Sequence, residues 1–241
     1  MRTGRYGLGR VFSFAWCIAY ASAVPSLAQQ LDSAAVIQRV EASVETRFEN
    51  VLGFTDIEHY AVFRGKDETH PVATMTVRDT YQKGVGKKYT ILSQSGSAII
   101  QKFGLRPLLD NEMRINNPAT VRDSWFISAN YVMKLKPGSI QQVDGRDCLA
   151  ISISPRHKAP NMIDGTLWVD AKDSWIVKVE GVASKSPSIW AGTTKMMRQY
   201  TLVDGYSQAM HARAESDSFL FGHTVVVVDY GDYHLQLRPA Q

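Results

Sequence analysis

Residues 163–180, IDGTLWVDAKDSWIVKVE, constrain the fold of this chain more than any other stretch. Apolar residues alternate with period two in both halves of it, which is typical of half-buried antiparallel strands. Residues 170–173 between the halves have the composition of a tight turn. We therefore predict a β-hairpin that presents two apolar faces, one from each arm: Ile163, Gly165, Leu167 and Val169 in the first, and Trp175, Val177 and Val179 in the second.

The same alternation of apolar and polar residues recurs on both sides of this hairpin, and it predicts a long antiparallel meander of about ten strands. Residues 31–50 predict a helix in front of the strands, because Val36, Val40 and Val44 recur at helical spacing. Between residues 98 and 117 the period lengthens again, which predicts one or two short helices interrupted at Gly104 and Pro107. A further short helix is predicted within residues 119–128. The fold class predicted from the residues is mainly β, of the α+β type.

The first 28 residues have the pattern of a secretory signal. Three arginines form a positive start, an apolar run too short to span a bilayer follows, and small residues at Ser26 and Ala28 predict cleavage after Ala28. Two alternatives stay open: a lipoprotein signal lipidated at Cys17, and an uncleaved membrane anchor. We predict an exported, periplasmic protein with one domain over residues 29–241, the cleaved form making peripheral or no membrane contact.

The net charge and the cysteine content argue against a nucleic-acid-binding protein and against a disulfide-bonded fold. The predicted signal contains three of the 27 basic residues and none of the 23 acidic ones, so the mature chain keeps 24 against 23. No basic stripe remains to neutralise a nucleic-acid backbone, and we predict no nucleic-acid partner. Cys148 becomes the single cysteine, so an intramolecular disulfide is excluded. We interpret Cys148 as a small buried strand residue rather than a reactive thiol.

The sequence contains no motif that indicates catalysis, a metal or a cofactor. Sequences typical of zinc sites, nucleophile elbows and phosphate loops do not occur. His211 and His223 could face each other across neighbouring strands, but ordinary strand histidines are the simpler interpretation. The carboxylates of Asp170, Asp173 and Glu180 lie at hairpin ends, where solvated turn residues are expected. We therefore predict a protein that is not an enzyme, with no catalytic residues, no metal and no cofactor.

Bulky apolar residues are numerous for one sheet, and two interpretations of them stay open. They fill the core, or the helical insertion is a movable lid and some of them line a cavity. The candidate cavity-lining or lid residues are Phe103, Leu105, Leu108, Leu109, Met113, Phe126, Tyr131, Met133, Leu167, Trp168, Trp175 and Val177.

A series of short sequence motifs over about half of the mature chain resembles secreted proteins related to the outer-membrane lipoprotein-sorting carriers, the Lol carriers. The motifs are NYVMKLKP at 130–137, VDGRDCLAISISPR at 143–156, DGTLWVD at 164–170, KSPSIW at 185–190 and YGDY at 230–233. The resemblance implies a single curved antiparallel sheet that forms a half-open β-barrel, with the N-terminal helix and the mid-chain insertion on its concave side. The chain departs from the family after Gly205-Tyr206, where it reads SQAM.

The resemblance implies a periplasmic carrier that shelters lipid or lipoprotein acyl chains, or another apolar ligand, between the sheet and its helices. The alternative from a different class is a sensor or scaffold of the same fold that binds an envelope protein. A hydrolase of an unfamiliar type is the third hypothesis.

Overall fold

The computed structural model describes residues 32–138, 140–159, 161–185, 191–218 and 222–239. The predicted signal, residues 1–28, and most of the KSPSIW motif lie outside these residues. No helix among the described residues is long and apolar enough to cross a membrane.

Eleven antiparallel strands of the described residues form one sheet. They are β1 (Val51–Arg64), β2 (Ala73–Gln82), β3 (Gly86–Gly96), β4 (Tyr131–Leu135), β5 (Gln141–Val143), β6 (Arg146–Pro155), β7 (Ile163–Asp170), β8 (Ile176–Ala183), β9 (Ala191–Val203), β10 (Tyr206–Ser218) and β11 (Gly222–Leu237). Their order is β3-β2-β1-β11-β10-β9-β8-β7-β6-β4, with β5 beside β6. The edge strands β3 and β4 do not pair with each other, so the sheet is curved but not closed. The predicted half-open barrel is confirmed.

Helix α1 (Ser33–Asn50) begins at Asp32, whose carboxylate accepts a hydrogen bond from the Ala34 amide at 3.0 Å. This contact satisfies one of the amides that a helix leaves unpaired at its start. Val36 and Val40 are fully buried and pack on one half of the sheet, against residues of β4, β6, β7 and β8. The apolar stripe predicted from the sequence therefore covers the concave face of these strands.

The mid-chain insertion covers the other half of the same face. It comprises α2 (Ala98–Ile100), a π-helical turn (Gln101–Leu105) and α3 (Arg106–Ile115), in one continuous helical run. The predicted interruption at Gly104 and Pro107 is therefore wrong. Pro107 lacks an amide, and its ring would meet the carbonyl four residues earlier in a regular helix. The wider π turn, in which the Arg106 amide bonds to the carbonyl of Gln101, accommodates the proline without ending the helix.

Leu105 and Leu109 anchor this insertion on the sheet. Both are 1% exposed, and they pack against Tyr60, Val62 and Met75 of β1 and β2. After the insertion, the short helix predicted within residues 119–128 is a single 3-10 turn (Val121–Ser124).

The predicted hairpin is formed by β7 and β8. Ile163, Leu167 and Val169 share one buried face under α1, as predicted. A register shift opposite Trp168 and Val169 separates the residues of the second arm. Val177 packs with Trp175 and Cys148, whereas Val179 packs in the cluster under α1, so the predicted common face of the second arm is wrong. A bulge adds one residue to a strand and reverses its alternation, which the sequence pattern does not show.

Cys148 lies in β6 and is fully buried. Burial, together with nearby Asp170, raises the pKa of its thiol to about 11. The structure thus agrees with a structural rather than a reactive cysteine.

Candidate functional site

A cavity of about 630 Å³ lies between the two helices and the sheet. Residues of α1 form one side, and residues of α3 and of the 116–126 segment form another. Strands β1, β2, β3, β8, β9, β10 and β11 form the floor, and residues 172–175 lie at its edge. The cavity exists because α1 and the insertion each cover one half of the curved sheet and leave a gap between them. Its volume is in the range of small-molecule sites, roughly 300–1,000 Å³.

Aromatic and aliphatic side chains supply part of the lining. Phe48 of α1 meets Trp125 edge to face, with ring centroids 4.5 Å apart. Phe54 of β1 stacks on Tyr81 of β2 at 5.2 Å. Apolar lining of this kind favours the transfer of a hydrocarbon group out of water, by about 25 cal/mol for each Å² buried. The lining also contains the aliphatic residues Ala42, Val44, Ile115, Val121, Ile176 and Ala209 and the aromatic residues Phe126 and Trp175.

A buried ion network lies on the β1–β3 side of the cavity. The Lys87 ammonium of β3 is 2.7 Å from a carboxylate oxygen of Glu58 and 2.7 Å from one of Glu112, and it also contacts Asp79. The Tyr60 hydroxyl donates a hydrogen bond to Glu58. Lys87 therefore joins β1 and β2 to helix α3 through three carboxylates.

The network contains more carboxylates than cations, and the pKa values of three of its carboxyl groups are raised. Burial, with the neighbouring Glu58, raises the pKa of Asp56 to about 7. Burial also raises the pKa of Glu58 to about 8, although Lys87 opposes the shift, and it raises the pKa of Asp79. The pKa of Glu112 shifts in the opposite direction. Burial alone would raise it, but the positive charges of Lys87 and Arg198 hold it below the ordinary value.

Asp56 differs from the other members of the network because it has no ion pair with Lys87 among the described contacts. It is 2% exposed, lines the cavity, and its Oδ1 atom has no hydrogen-bond partner. Asp56, Glu58 and Asp79 each bring a carboxylate oxygen within 4.8 Å of the others, an arrangement that can hold a cation. The Lys87 ammonium already contacts two of the three, so the protein supplies the positive charge from its own chain.

Raised carboxylate pKa values occur at catalytic sites and also in structural ion networks. Here three carboxylates share the Lys87 ammonium, and their contacts link α3 to the sheet. This is the arrangement of a structural ion network. Arg198 of β9 adds a further contact to this network, with its guanidinium 3.7 Å from Glu112.

A second polar region lies where α1 faces β8 and β10. The Arg47 guanidinium donates to the carbonyl of Ser207 at 2.6 Å and to the Oε1 atom of Gln208 at 2.7 Å. Two turns earlier on the same helix, Arg39 donates to the Ser174 hydroxyl at 3.3 Å. Both arginines line the cavity, and burial lowers the pKa of Arg47.

Two of the twelve residues predicted as cavity wall or lid, Phe126 and Trp175, line this cavity. Phe103 is 65% exposed on the insertion, and Met113 of α3 is partly buried. The remaining eight pack in three clusters between the sheet and its surroundings: Leu105, Leu108 and Leu109 under the insertion, Tyr131, Met133 and Leu167 under α1, and Trp168 and Val177 with Cys148. Their assignment as wall or lid remains a prediction.

The sequence reasoning missed the polar side of the cavity. Asp56 and Glu58 are two residues apart on β1, a spacing that also describes a solvent-facing strand edge. The contacts that bring Lys87 and Glu112 to them join residues far apart along the chain. The histidine pair also does not form: His211 lies opposite Asp229, and His223 lies opposite Asp217.

No protein-family model and no curated protein matches the sequence. Among solved structures, the chain is similar to a domain from Vibrio parahaemolyticus described as an outer membrane lipoprotein-sorting protein. The TM-score is 0.51 at 14% identity, over 84% of this chain and 93% of that one. This similarity confirms that the predicted relation to the Lol carriers holds for the fold.

Two weaker similarities accompany it. A LolA-superfamily protein from Nitrosomonas europaea gives a TM-score of 0.45 at 12% identity, over 87% of this chain and 96% of that one. A DUF1329 family protein from Desulfovibrio piger gives 0.45 at 14% identity, over 85% and 93%. The similarity to the Vibrio domain indicates a fold of the lipoprotein-carrier type, and the cavity is the feature of this fold that a ligand could occupy.

Proposed function

We propose that this protein is an exported, periplasmic binding protein that shelters an acyl chain or another apolar group in the cavity between its helices and its sheet. The observation that carries the proposal is the cavity of about 630 Å³, lined in part by Phe48, Phe54 and Trp125. It lies within a fold shared with a domain described as a lipoprotein-sorting protein.

Binding in this cavity requires no covalent step. Transfer of a hydrocarbon chain from water to an apolar lining is favourable by about 0.8 kcal/mol for each buried methylene group. The helices that cover the site are held by packing and ion pairs, so the cavity is formed before the ligand arrives, which lowers the cost of binding.

Filling the cavity from α1 tests the proposal. Ser43 lines the cavity and is half-buried, so Ser43→Trp inserts a large ring without removing a core side chain. The matched control is Glu49→Trp, which adds the same ring to an exposed position of the same helix that does not line the cavity. The assay is titration of the purified mature protein with a fluorescent fatty acyl probe, together with thermal unfolding of each variant.

We expect the wild-type protein and Glu49→Trp to bind the probe, and Ser43→Trp to bind at least about tenfold more weakly, which corresponds to about 1.4 kcal/mol. The unfolding midpoints of the two variants should be similar. The proposal is wrong if the wild-type protein does not bind the probe, or if Ser43→Trp binds it as tightly as the control does.

Export is tested separately on the full chain. Expression in a Gram-negative host, followed by fractionation and intact mass measurement, should recover a periplasmic protein whose first residue is Gln29. A mass that retains residues 1–28, or one increased by lipid on Cys17, would instead support one of the two alternative N-terminal assignments.

A further inference from the structure

The second polar region of the cavity, where α1 faces β8 and β10, contains a set of hydrogen-bond donors. Arg47 and Arg39 are two helical turns apart on α1, and both line the cavity. Within the described residues, neither arginine forms an ion pair with a carboxylate, and their hydrogen bonds go to neutral acceptors of Ser207, Gln208 and Ser174. A guanidinium has five N–H donors, so the two contacts of Arg47 leave donors and an uncompensated positive charge.

Gln208 extends this set of donors. It is 2% exposed and lines the cavity. Its Oε1 atom accepts from Arg47 at 2.7 Å, and because a guanidinium can only donate, this contact fixes which end of the amide is oxygen. The Nε2 atom is then a buried donor, and it has no hydrogen-bond partner.

Trp175 contributes a second unpartnered donor. It is 5% exposed, lines the cavity, and its Nε1 atom has no partner. It precedes Ile176, whose carbonyl accepts a hydrogen bond from the Ser207 hydroxyl, and Arg47 donates to the carbonyl of the same Ser207. Leaving a buried donor unpaired costs about 1–3 kcal/mol, so two such donors in the lining of the cavity that Arg47 also lines indicate a missing acceptor.

We propose that the ligand is an anionic amphiphile, whose carboxylate or phosphate head accepts hydrogen bonds from Arg47, Gln208 and Trp175 while its apolar chain occupies the cavity. This inference rests on the proposed function and specifies its ligand class. An anion matches the region because it brings the negative charge that Arg47 lacks and acceptors for the two unpartnered N–H groups. The exposed pair Lys172 and Asp173, which also line the cavity, carry opposite charges and do not change this balance.

The carboxylates on the β1–β3 side do not compete for Arg47. Glu58, Asp79 and Glu112 contact Lys87, and they belong to β1, β2 and α3 rather than to α1, β8 or β10. Asp56, the fourth carboxylate of that side, also lines the cavity and forms no ion pair with Arg47 among the described residues. The cavity therefore has an acidic side organised around Lys87 and a separate donor side that lacks an acceptor.

Four matched compounds separate the anion site from the apolar site: decanoate, decyl phosphate, decan-1-ol and inorganic phosphate. Each is titrated against the mature protein by displacement of the fluorescent acyl probe. We expect decanoate and decyl phosphate to bind about tenfold to a hundredfold more tightly than decan-1-ol, the range for hydrogen bonds to a charged group. Inorganic phosphate, which has no chain, should not displace the probe at concentrations at which decyl phosphate does.

Gln208→Glu is the decisive variant. The new carboxylate pairs with Arg47, which preserves the local fold, and it removes both the donor and the free charge. We expect the preference for anions to disappear while binding of decan-1-ol is unchanged. Trp175→Phe keeps an aromatic ring under the Arg146 guanidinium, whose Cζ lies 5.0 Å from the indole centroid, and should weaken anion binding severalfold by removing one donor.

Lys102→Gln is the control for overall charge, because it also lowers the net charge by one but from an exposed position on the insertion. It should leave all four affinities unchanged. Equal binding of decanoate and decan-1-ol by the wild-type protein would overturn the inference and leave the proposed function standing. Binding of none of the three chain compounds would overturn the proposed function itself. Inorganic phosphate binding as tightly as decyl phosphate would overturn the assignment to a head group.

Discussion

Asp56→Asn should stabilise the protein, and by more at pH 8 than at pH 5. Asp56 is 2% exposed, its Oδ1 atom has no partner, and Glu58 is its nearest charged neighbour along β1. Burial and that neighbour raise the pKa of its carboxyl from 3.8 to about 7. The substitution replaces the carboxyl with an uncharged amide of nearly the same shape, which removes the electrostatic cost and keeps an oxygen that can accept the hydrogen bond of Tyr233.

The direction follows from proton uptake on folding. Between about pH 4 and pH 7 the unfolded chain has lost the Asp56 proton while the folded protein still holds it, so wild-type stability falls as the pH rises through this window. Each pKa unit corresponds to about 1.4 kcal/mol, so the cost is about 1.5 kcal/mol at pH 5 and about 4 kcal/mol above pH 7. Asp56→Asn should recover these amounts.

Urea unfolding of the mature wild-type protein and the variant at pH 5 and pH 8 measures the effect. Asp123→Asn, a change at an exposed position on the 3-10 turn, is the control and should alter stability by less than about 0.5 kcal/mol at both values. A variant that is no more stabilised at pH 8 than at pH 5 would refute the reasoning, because it would mean that Asp56 is not held in its protonated form by burial.

Four further substitutions test the packing and the ion network by the same unfolding assay. Lys87→Met should destabilise the protein by about 3–5 kcal/mol, because it leaves buried carboxylates without their counter-charge; a neutral result would show that the ammonium contributes nothing. Gly165→Ala should cost about 3 kcal/mol or more, because a Cβ there would lie 2.1 Å from the Glu180 carbonyl oxygen; unchanged stability would contradict that close approach. Leu109→Ala should cost about 2–5 kcal/mol and Phe103→Ala less than about 0.5, since the former is buried and the latter is exposed; equal costs would mean that the insertion does not pack as described.

The strand alternation predicted the sheet because one face of each strand is buried, and period two then appears in the sequence itself. Ile163, Leu167 and Val169 illustrate this, since all three lie under α1. The bulge that separates Val177 from Val179 was not predictable, because one extra residue in a strand leaves no compositional mark. The continuity of the insertion was also missed, since a proline predicts a break and the π turn that absorbs it depends on tertiary packing.

The polar side of the cavity was not predictable for a different reason. Lys87 meets Glu58 and Glu112 through contacts between residues 29 and 25 positions apart, and Arg47 meets Gln208 across 161 positions. Each of these residues has the character of an ordinary surface residue in its own segment. Burial of a charge is decided by which strands become neighbours, and one sequence does not record that directly.

The ion network also bears on how a ligand reaches the cavity. Displacement of α3 would separate Glu112 from both Lys87 and Arg198 and would expose Leu109, so it would break two ion pairs and one buried packing contact together. Rotation of α1 at its C-terminal end would break the hydrogen bonds of Arg47 to Ser207 and Gln208. An anionic head group could replace these with bonds of similar strength. A ligand of the proposed class would therefore offset part of the cost of moving α1, whereas its head group supplies no replacement for the ion pairs that hold Glu112.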